Sequence, residues 1–311
     1  MILFVGGTPA MQRTLRFESL EPGAVNRAYE VRVTASGKVV NAARAATVLG
    51  GRALLATFLG GDPGRFVARE LDARGVPHEV VWTEDDAPTR TCATLISDDG
   101  LVTELVEEAL PVSERDVAAL EEIATEKLKE ARALCLIGSF PPGVPDDFYA
   151  RLTAAAREAG VRVLIDAQKA PLRAALEEVP FLVKPNLEEV AATLNLPNGE
   201  PDVRAAVAAL TDAGARWAFV SEGASGSMLG DDSGGLWSVE PPRVEAVNPI
   251  GSGDSMAAGT LLSLSRSASV PDAAVYGTAC AAANALTLTS GELHPDDVDE
   301  MLSRVCLTQL V

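Results

Sequence analysis

Short apolar runs alternate with amphipathic stretches along almost the whole chain, and no other feature restricts the fold as much. The runs Ile2–Val5, Ala53–Leu59, Ala133–Ile137, Val161–Ile165, Phe181–Val183 and Trp217–Ser221 are apolar on both alternating faces, as strands buried on two sides are. Between them, helical spacing recurs over residues 39–50, 64–74, 113–130, 145–159, 186–194 and 201–213. Strand–helix alternation of this kind predicts βαβ units around a mainly parallel sheet. With 311 residues the chain is near the upper limit for one hydrophobic core, so one large α/β domain is expected, not two equal ones.

Two stretches break the alternation. Residues 14–34 contain Arg16–Leu20 and Tyr29–Val33, which alternate polar and apolar like half-exposed strands. Residues 90–106 read as a hairpin turning at Ser97-Asp-Asp-Gly100, where Asp-Gly supplies the positive φ of a tight turn. With no helices among them, these strands are expected to form a small sheet of their own, placed as a lid over one end of the main sheet. From Asp254 onward the pattern is nearly all helical, 254–267, 271–288 and 294–304, and a helical cap over the last strands is expected.

Charge narrows the function classes. The formal net charge is −18, with 44 acidic residues against 26 basic ones. Such a surface repels phosphate backbones and anionic lipid, which argues against nucleic-acid and membrane partners. An anionic substrate would need basic residues gathered at its site. Cys92, Cys135, Cys280 and Cys306 form no CxxC pair and read as buried free thiols of a reducing compartment, not as a metal site. The first residues, MILFVGG, lack a basic region and read as a first strand, and a cytoplasmic location is expected. The acidic runs Glu84-Asp-Asp86 and Asp296-Asp297 read as solvated surface.

Five segments carry polar chemistry. Gly251-Ser252-Gly253-Asp254 stands before a helix, where small residues let backbone N–H groups point outward and the helix adds its positive end. Asp254 there could take a proton from a hydroxyl, or it could simply cap the helix. Gly37-Lys38, followed by Asn41, offers close backbone approach, a point charge and an amide, and it also suits a plain helix-starting loop. Gly60-Gly61-Asp62 is read as a strand-to-helix turn. In Lys184-Pro-Asn186, with Glu189 three residues on, side-chain oxygens could hold a hydrated Mg²⁺ indirectly or form a capping box. Ser221 to Gly226 leaves a strand and turns on Gly223 and Gly226, as the wall of a nucleotide pocket or as a turn only. Outside these segments, Arg90 opens the expected hairpin with a guanidinium suited to bidentate phosphate binding, although a lone arginine is more often a surface residue.

Taken in order, these segments resemble the ribokinase-like carbohydrate kinases, in their phosphofructokinase B branch, and within it the tagatose-6-phosphate kinases and 1-phosphofructokinases. The likeness covers nearly the whole chain and includes Thr89-Arg90, Gly138 to Gly143 and Asn284. It implies a three-layer α/β/α fold over residues 1–311, with a β lid drawn from about 12–36 and 88–108. It implies Asp254 as the base that activates the acceptor hydroxyl, and the backbone of Gly251, Ser252 and Gly253 as the anion hole. ATP would be flanked by Lys184, Asn186, Ser221, Gly223, Gly226 and Asn284, with Asn186 and Glu189 organising Mg²⁺ through water. Gln12, Gly37, Lys38, Asn41 and Arg90 would bind the sugar, Lys38 and Arg90 gripping its phosphate. The resemblance also admits a homodimer through the lid.

The chain departs from that pattern in the first loop. Thr8 stands where the family has Asn, and Gln12 where it has an Asp that binds sugar hydroxyls. An amide keeps the hydrogen bond and loses its charge assistance. Ser252 replaces the usual Ala and leaves the backbone donors in place. The expected function is ATP-dependent phosphoryl transfer to a ketohexose phosphate of the tagatose-6-phosphate or fructose-1-phosphate type. The alternatives are a kinase for an unphosphorylated sugar or nucleoside, and a non-catalytic sensor of sugar phosphate or nucleotide.

Overall fold

The computed structural model describes residues 1–83, 87–194 and 202–310, so the acidic run 84–86 lies outside the described residues. From the N-terminus, β1 (Ile2–Val5) is followed by β2 (Ala10–Phe17), β3 (Glu30–Ser36), α1 (Lys38–Val48), β4 (Ala53–Leu59) and α2 (Gly61–Ala73). Next come β5 (His78–Trp82), β6 (Arg90–Ser97), β7 (Val102–Val106), α3 (Glu114–Leu128), β8 (Ala133–Ile137), α4 (Phe148–Glu158) and β9 (Arg162–Asp166). The chain continues through α5 (Lys169–Leu176), β10 (Leu182–Val183), α6 (Leu187–Thr193), α7 (Val203–Asp212), β11 (Trp217–Ser221), β12 (Ser227–Asp231) and β13 (Leu236–Glu240). It ends with α8 (Ser252–Ser265), α9 (Val270–Ala285), α10 (Pro295–Leu302) and β14 (Cys306–Gln309).

The main sheet runs β14-β13-β12-β11-β10-β9-β8-β1-β4-β5. The part from β11 to β5 is parallel, as the alternation predicts, while β12, β13 and β14 add an antiparallel edge. The central parallel strands are largely apolar because they are covered on both sides. Ile2 and Phe4 pack into the layer of α1, α2, α8, α9 and α10, whereas Leu3 and Val5 pack into that of α3 to α7.

Four strands form a second sheet in the order β3-β2-β6-β7. It contains the expected hairpin, with β6 and β7 antiparallel and Gly100 at φ 88° in the turn between them. β2 starts earlier than the alternation suggests, at Ala10, and pairs in parallel with β6. The register puts even-numbered residues of all four strands on one face: Ser36, Ala10 and Arg90 in one row, Gln12, Cys92 and Val106 in another.

The stretch after Asp254 is nearly all helical, and β14 follows the last helix, pairing with β13 to extend the antiparallel edge. One expectation is corrected. Of the four cysteines, all free, only three are buried, since Cys306 lies exposed on that edge strand. Among the described residues no helix is long and apolar enough to cross a membrane.

Candidate active site

The parallel strands end on one side of the main sheet, where α/β proteins place their sites. There the even-numbered face of the second sheet covers a cleft of about 480 Å³. Its floor comes from Asp166 at the end of β9, Lys184 beyond β10, Ser221 at the end of β11 and the turn Pro249–Gly253 before and into α8.

Asp254 sits in the first turn of α8 and is only 5% exposed. Gly251 starts that helix in the left-handed region, at φ 84°, so the chain turns sharply; Ser252 N donates back to Pro249 O at 3.2 Å, and the N–H groups of Gly253 and Asp254 are left without helical partners. Burial pushes the Asp254 carboxyl up to about 6, against the pull of the Lys38 charge and of a hydrogen bond from Asn41. In that bond Asn41 Nδ2 donates to Asp254 Oδ2 at 2.8 Å. Asn41 is itself oriented by Ser36, whose Oγ donates to its Oδ1 at 3.1 Å. A carboxylate so tuned, beside main-chain donors and a helix's positive end, can accept a proton while neighbouring N–H groups face a developing anion.

Behind this turn stands Asn284, fully buried on α9. Its Nδ2 donates to Ile250 O at 3.0 Å and its Oδ1 accepts from Gly291 N at 2.7 Å. The resemblance implies a nucleotide contact for Asn284. The structure puts it under the glycine turn instead, as a brace that does not line the cleft. Ser221 and Gly223 do line the cleft, and Gly226, at φ 114°, shapes the turn beyond them.

The cationic side chains are already engaged. Lys38 Nζ lies 3.0 Å from Asp166 Oδ1 and 2.8 Å from Glu189 Oε1. Lys184 Nζ lies 2.9 Å from Asp166 Oδ2, both side chains being almost wholly buried. Burial works against both the Asp166 and Lys38 charges, yet each is outweighed: Lys184 and Lys38 hold Asp166 below the usual carboxylate range, and Asp166, Glu189 and Asp254 hold Lys38 above the usual amine range. Sequence reasoning gives Lys38 a free ammonium for the substrate's phosphate, whereas here two carboxylates flank it. Asp166 was missed because it belongs to no spaced motif. Its one signal is a carboxylate closing the apolar run Val163-Leu-Ile-Asp166 at a strand's C-terminal end.

Asn186 and Glu189 form a complete capping box at the start of α6. Asn186 Oδ1 accepts from Glu189 N at 2.8 Å, and Glu189 Oε2 accepts from Asn186 N at 2.9 Å. With its other oxygen on Lys38, Glu189 reaches a cation only through water unless these bonds open. No cluster of three or more His, Cys, Asp or Glu among the described residues is arranged to hold a metal directly.

Gly37 caps α1 at φ 99°, pressed so near the first loop that a Cβ would come within 2.7 Å of Thr8 O. Gln12 is buried on β2 and its Nε2 donates to Thr94 Oγ1 at 2.8 Å. Arg90, at the start of β6, lines the cleft while Nη2 donates to Thr8 O at 3.1 Å and Nη1 to Glu107 O at 3.4 Å. Gly60 and Gly61 make the turn into α2, and Gly60 N donates to Thr89 Oγ1, which ties that turn to the start of the second sheet.

Solved structures share this fold. A protein described as a possible 1-phosphofructokinase from Thermotoga maritima superposes with a TM-score of 0.90 at 21% identity, covering 100% of this chain and 99% of the other. Phosphofructokinase-2 from Escherichia coli, in complex with fructose-6-phosphate, gives 0.83 at 28% identity over 97% of each chain. Arabidopsis thaliana ribokinase, complexed with ribose and ATP, gives 0.74 at 19% identity over 97% of this chain and 98% of that one. The sequence model of the pfkB family carbohydrate kinases matches residues 1–296, and the chain belongs to that family of sugar kinases.

Proposed function

We propose that the protein transfers the γ-phosphoryl group of ATP to a hydroxyl of a ketohexose phosphate of the fructose or tagatose type. The observation that carries this is the position of Asp254, buried, held by Asn41 and set at the start of α8 beside the N–H groups of a left-handed glycine turn. Asp254 takes the hydroxyl proton as that oxygen bonds to the γ-phosphorus. The bond from phosphorus to the bridging oxygen of ADP breaks, and ADP leaves with the electron pair. Gly251, Ser252 and Gly253 face the charge on the phosphoryl oxygens. Lys184, Ser221, Gly223 and Gly226 border the nucleotide side, braced through Asn284. Mg²⁺ would neutralise the nucleotide's phosphates, and Asn186 with Glu189 fits it through water. Arg90 takes the phosphate of the sugar, and Lys38 orders the carboxylates around the reacting groups.

Three free cysteines buried away from oxidants suit a cytoplasmic enzyme. A second copy pairing through the second sheet suits the exposed Val31 and Leu105 on the face turned away from the cleft.

A coupled ADP-release assay over a panel of sugars and sugar phosphates tests the reading. Asp254→Asn should lower kcat by about 10²–10⁴-fold while nucleotide binding survives; near-normal turnover would sink the assignment. One observation favours the second reading, a neutral acceptor: Lys38 is already paired with Asp166 and Glu189. Under the phosphate reading Arg90→Ala raises KM more for phosphorylated acceptors than for neutral ones, and equal effects would favour the second.

A further inference from the structure

The second sheet presents seven residues to the cleft, all on its even-numbered face: Ala10, Gln12, Ser36, Arg90, Cys92, Glu104 and Val106. Arg90 and Glu104 are the charged ones, and they are differently occupied. The Arg90 guanidinium spans the carbonyls of Thr8 and Glu107. Glu104 is an exposed residue that lines the cleft, and its carboxylate has no hydrogen-bond or ion-pair partner among the described residues. Partial burial raises its pKa, and Arg90 pulls it back.

Its surroundings on the sheet give that carboxylate a direction. Glu104 pairs across β6 and β7 with Thr94, and Thr94 Oγ1 takes the Gln12 Nε2 proton. With its amide nitrogen spent on Thr94 and on Arg13 O, Gln12 has only its carbonyl oxygen left to offer the cleft. The strands on either side of β6 therefore present acceptors on the same face, a neutral amide oxygen from β2 and a carboxylate from β7, one row apart. A wall of acceptors repels phosphate and matches a ligand rich in hydroxyl donors.

We infer that Glu104 is a specificity-determining residue that accepts hydrogen bonds from the hydroxyls of the sugar acceptor, on the same face of the sheet as Gln12. This rests on the kinase reading above. It assigns the lid's side of the cleft to the polyol part of the acceptor and leaves the acceptor's anionic end to Arg90. Charge assistance, absent at position 12, is supplied from β7.

Fructose 6-phosphate is the probe, titrated calorimetrically into the intact protein without nucleotide and then assayed with ATP. Glu104→Gln should weaken its binding and raise its KM by about ten- to a hundredfold, the range for a hydrogen bond to a charged group. The KM for ATP should stay within about twofold, which also shows that the variant is folded. For a fructose 6-phosphate analogue lacking the contacted hydroxyl, variant and wild type should bind alike, since the two losses are one interaction. Equal binding of fructose 6-phosphate by wild type and Glu104→Gln overturns the inference and leaves the kinase reading standing. Binding that weakens in the variant, with no turnover by the wild type, supports the inference and sinks the kinase reading. No binding of fructose 6-phosphate by the wild type overturns the inference, and no turnover across the whole panel of sugars and sugar phosphates overturns the kinase reading with it.

Discussion

Asn41 Nδ2 donates a 2.8 Å hydrogen bond to Asp254 Oδ2, joining the first turn of α1 to the first turn of α8 across 213 residues of sequence. The bond favours the charged carboxylate and so opposes the burial that lifts its pKa to about 6. Asn41→Ala removes that support, and the pKa of the base should move further up. The acidic limb of the kcat/KM profile should then shift to higher pH, with about a tenfold loss near pH 6 and a smaller one near pH 8. A pH–rate profile that falls by the same factor at every pH would assign Asn41 to substrate binding alone.

Stability should move the opposite way when the base itself is neutralised. An acid whose folded pKa of about 6 exceeds its ordinary value of 3.8 holds its proton more tightly when folded. Stability therefore falls as pH rises through that interval, and the penalty is complete above it. Asp254→Asn should raise the unfolding free energy near pH 7 by about 1–3 kcal/mol, a difference that closes as pH falls toward 4. Urea unfolding at several pH values reads this directly. A variant less stable than wild type at neutral pH would mean that the carboxylate's bonds outweigh its desolvation.

Legibility in the sequence followed periodicity and spacing. The central parallel strands announced themselves because they are covered on two faces and largely apolar, and the hairpin of β6 and β7 because Asp99-Gly100 demands its turn. β5, β12, β13 and β14 went unread, since they lie toward the two edges of the sheet, are not wholly buried and lack the uninterrupted apolar runs of the central strands. Within the site, the glycines and Asp254 stand in one short segment and could be found there. The partners of Lys38 could not, because Asp166 lies 128 residues away and Glu189 lies 151 away. Glu104 was equally hidden, since only the register of the second sheet turns it toward the cleft.

The ion pair of Lys184 with Asp166 is buried at both ends, and its removal should be costly. Lys184→Met leaves Asp166 with Lys38 alone, and a stability loss of about 3–5 kcal/mol is expected near neutral pH. Asp166 has a folded pKa below its ordinary value, so the stability it contributes is present above the unfolded pKa and is lost as pH falls through the folded one. The defect of Lys184→Met should therefore shrink in acid. Adding Asp166→Leu should recover part of the loss at pH 7, because the stranded charge is then gone. If urea unfolding shows the double variant weaker than the single one, Lys38 alone satisfies Asp166.

Gly251 and Gly253 flank the same turn but meet different surroundings, which separates scaffold from chemistry. At Gly251 a side chain faces φ 84° and a Cβ would come within 2.7 Å of Ser290 Cβ. Gly251→Ala should cost about 1–2 kcal/mol of stability from the left-handed backbone alone, with activity falling alongside. At Gly253 the backbone is helical, and a Cβ would meet only the Lys184 Nζ, at 3.6 Å. Gly253→Ala should fold and melt like the wild type. If a phosphoryl group approaches the backbone there, the added methyl occupies its path, and kcat should fall about tenfold or more without a change in melting temperature. Full activity in a normally folded Gly253→Ala protein would reduce the segment to a helix start and move the anion site elsewhere.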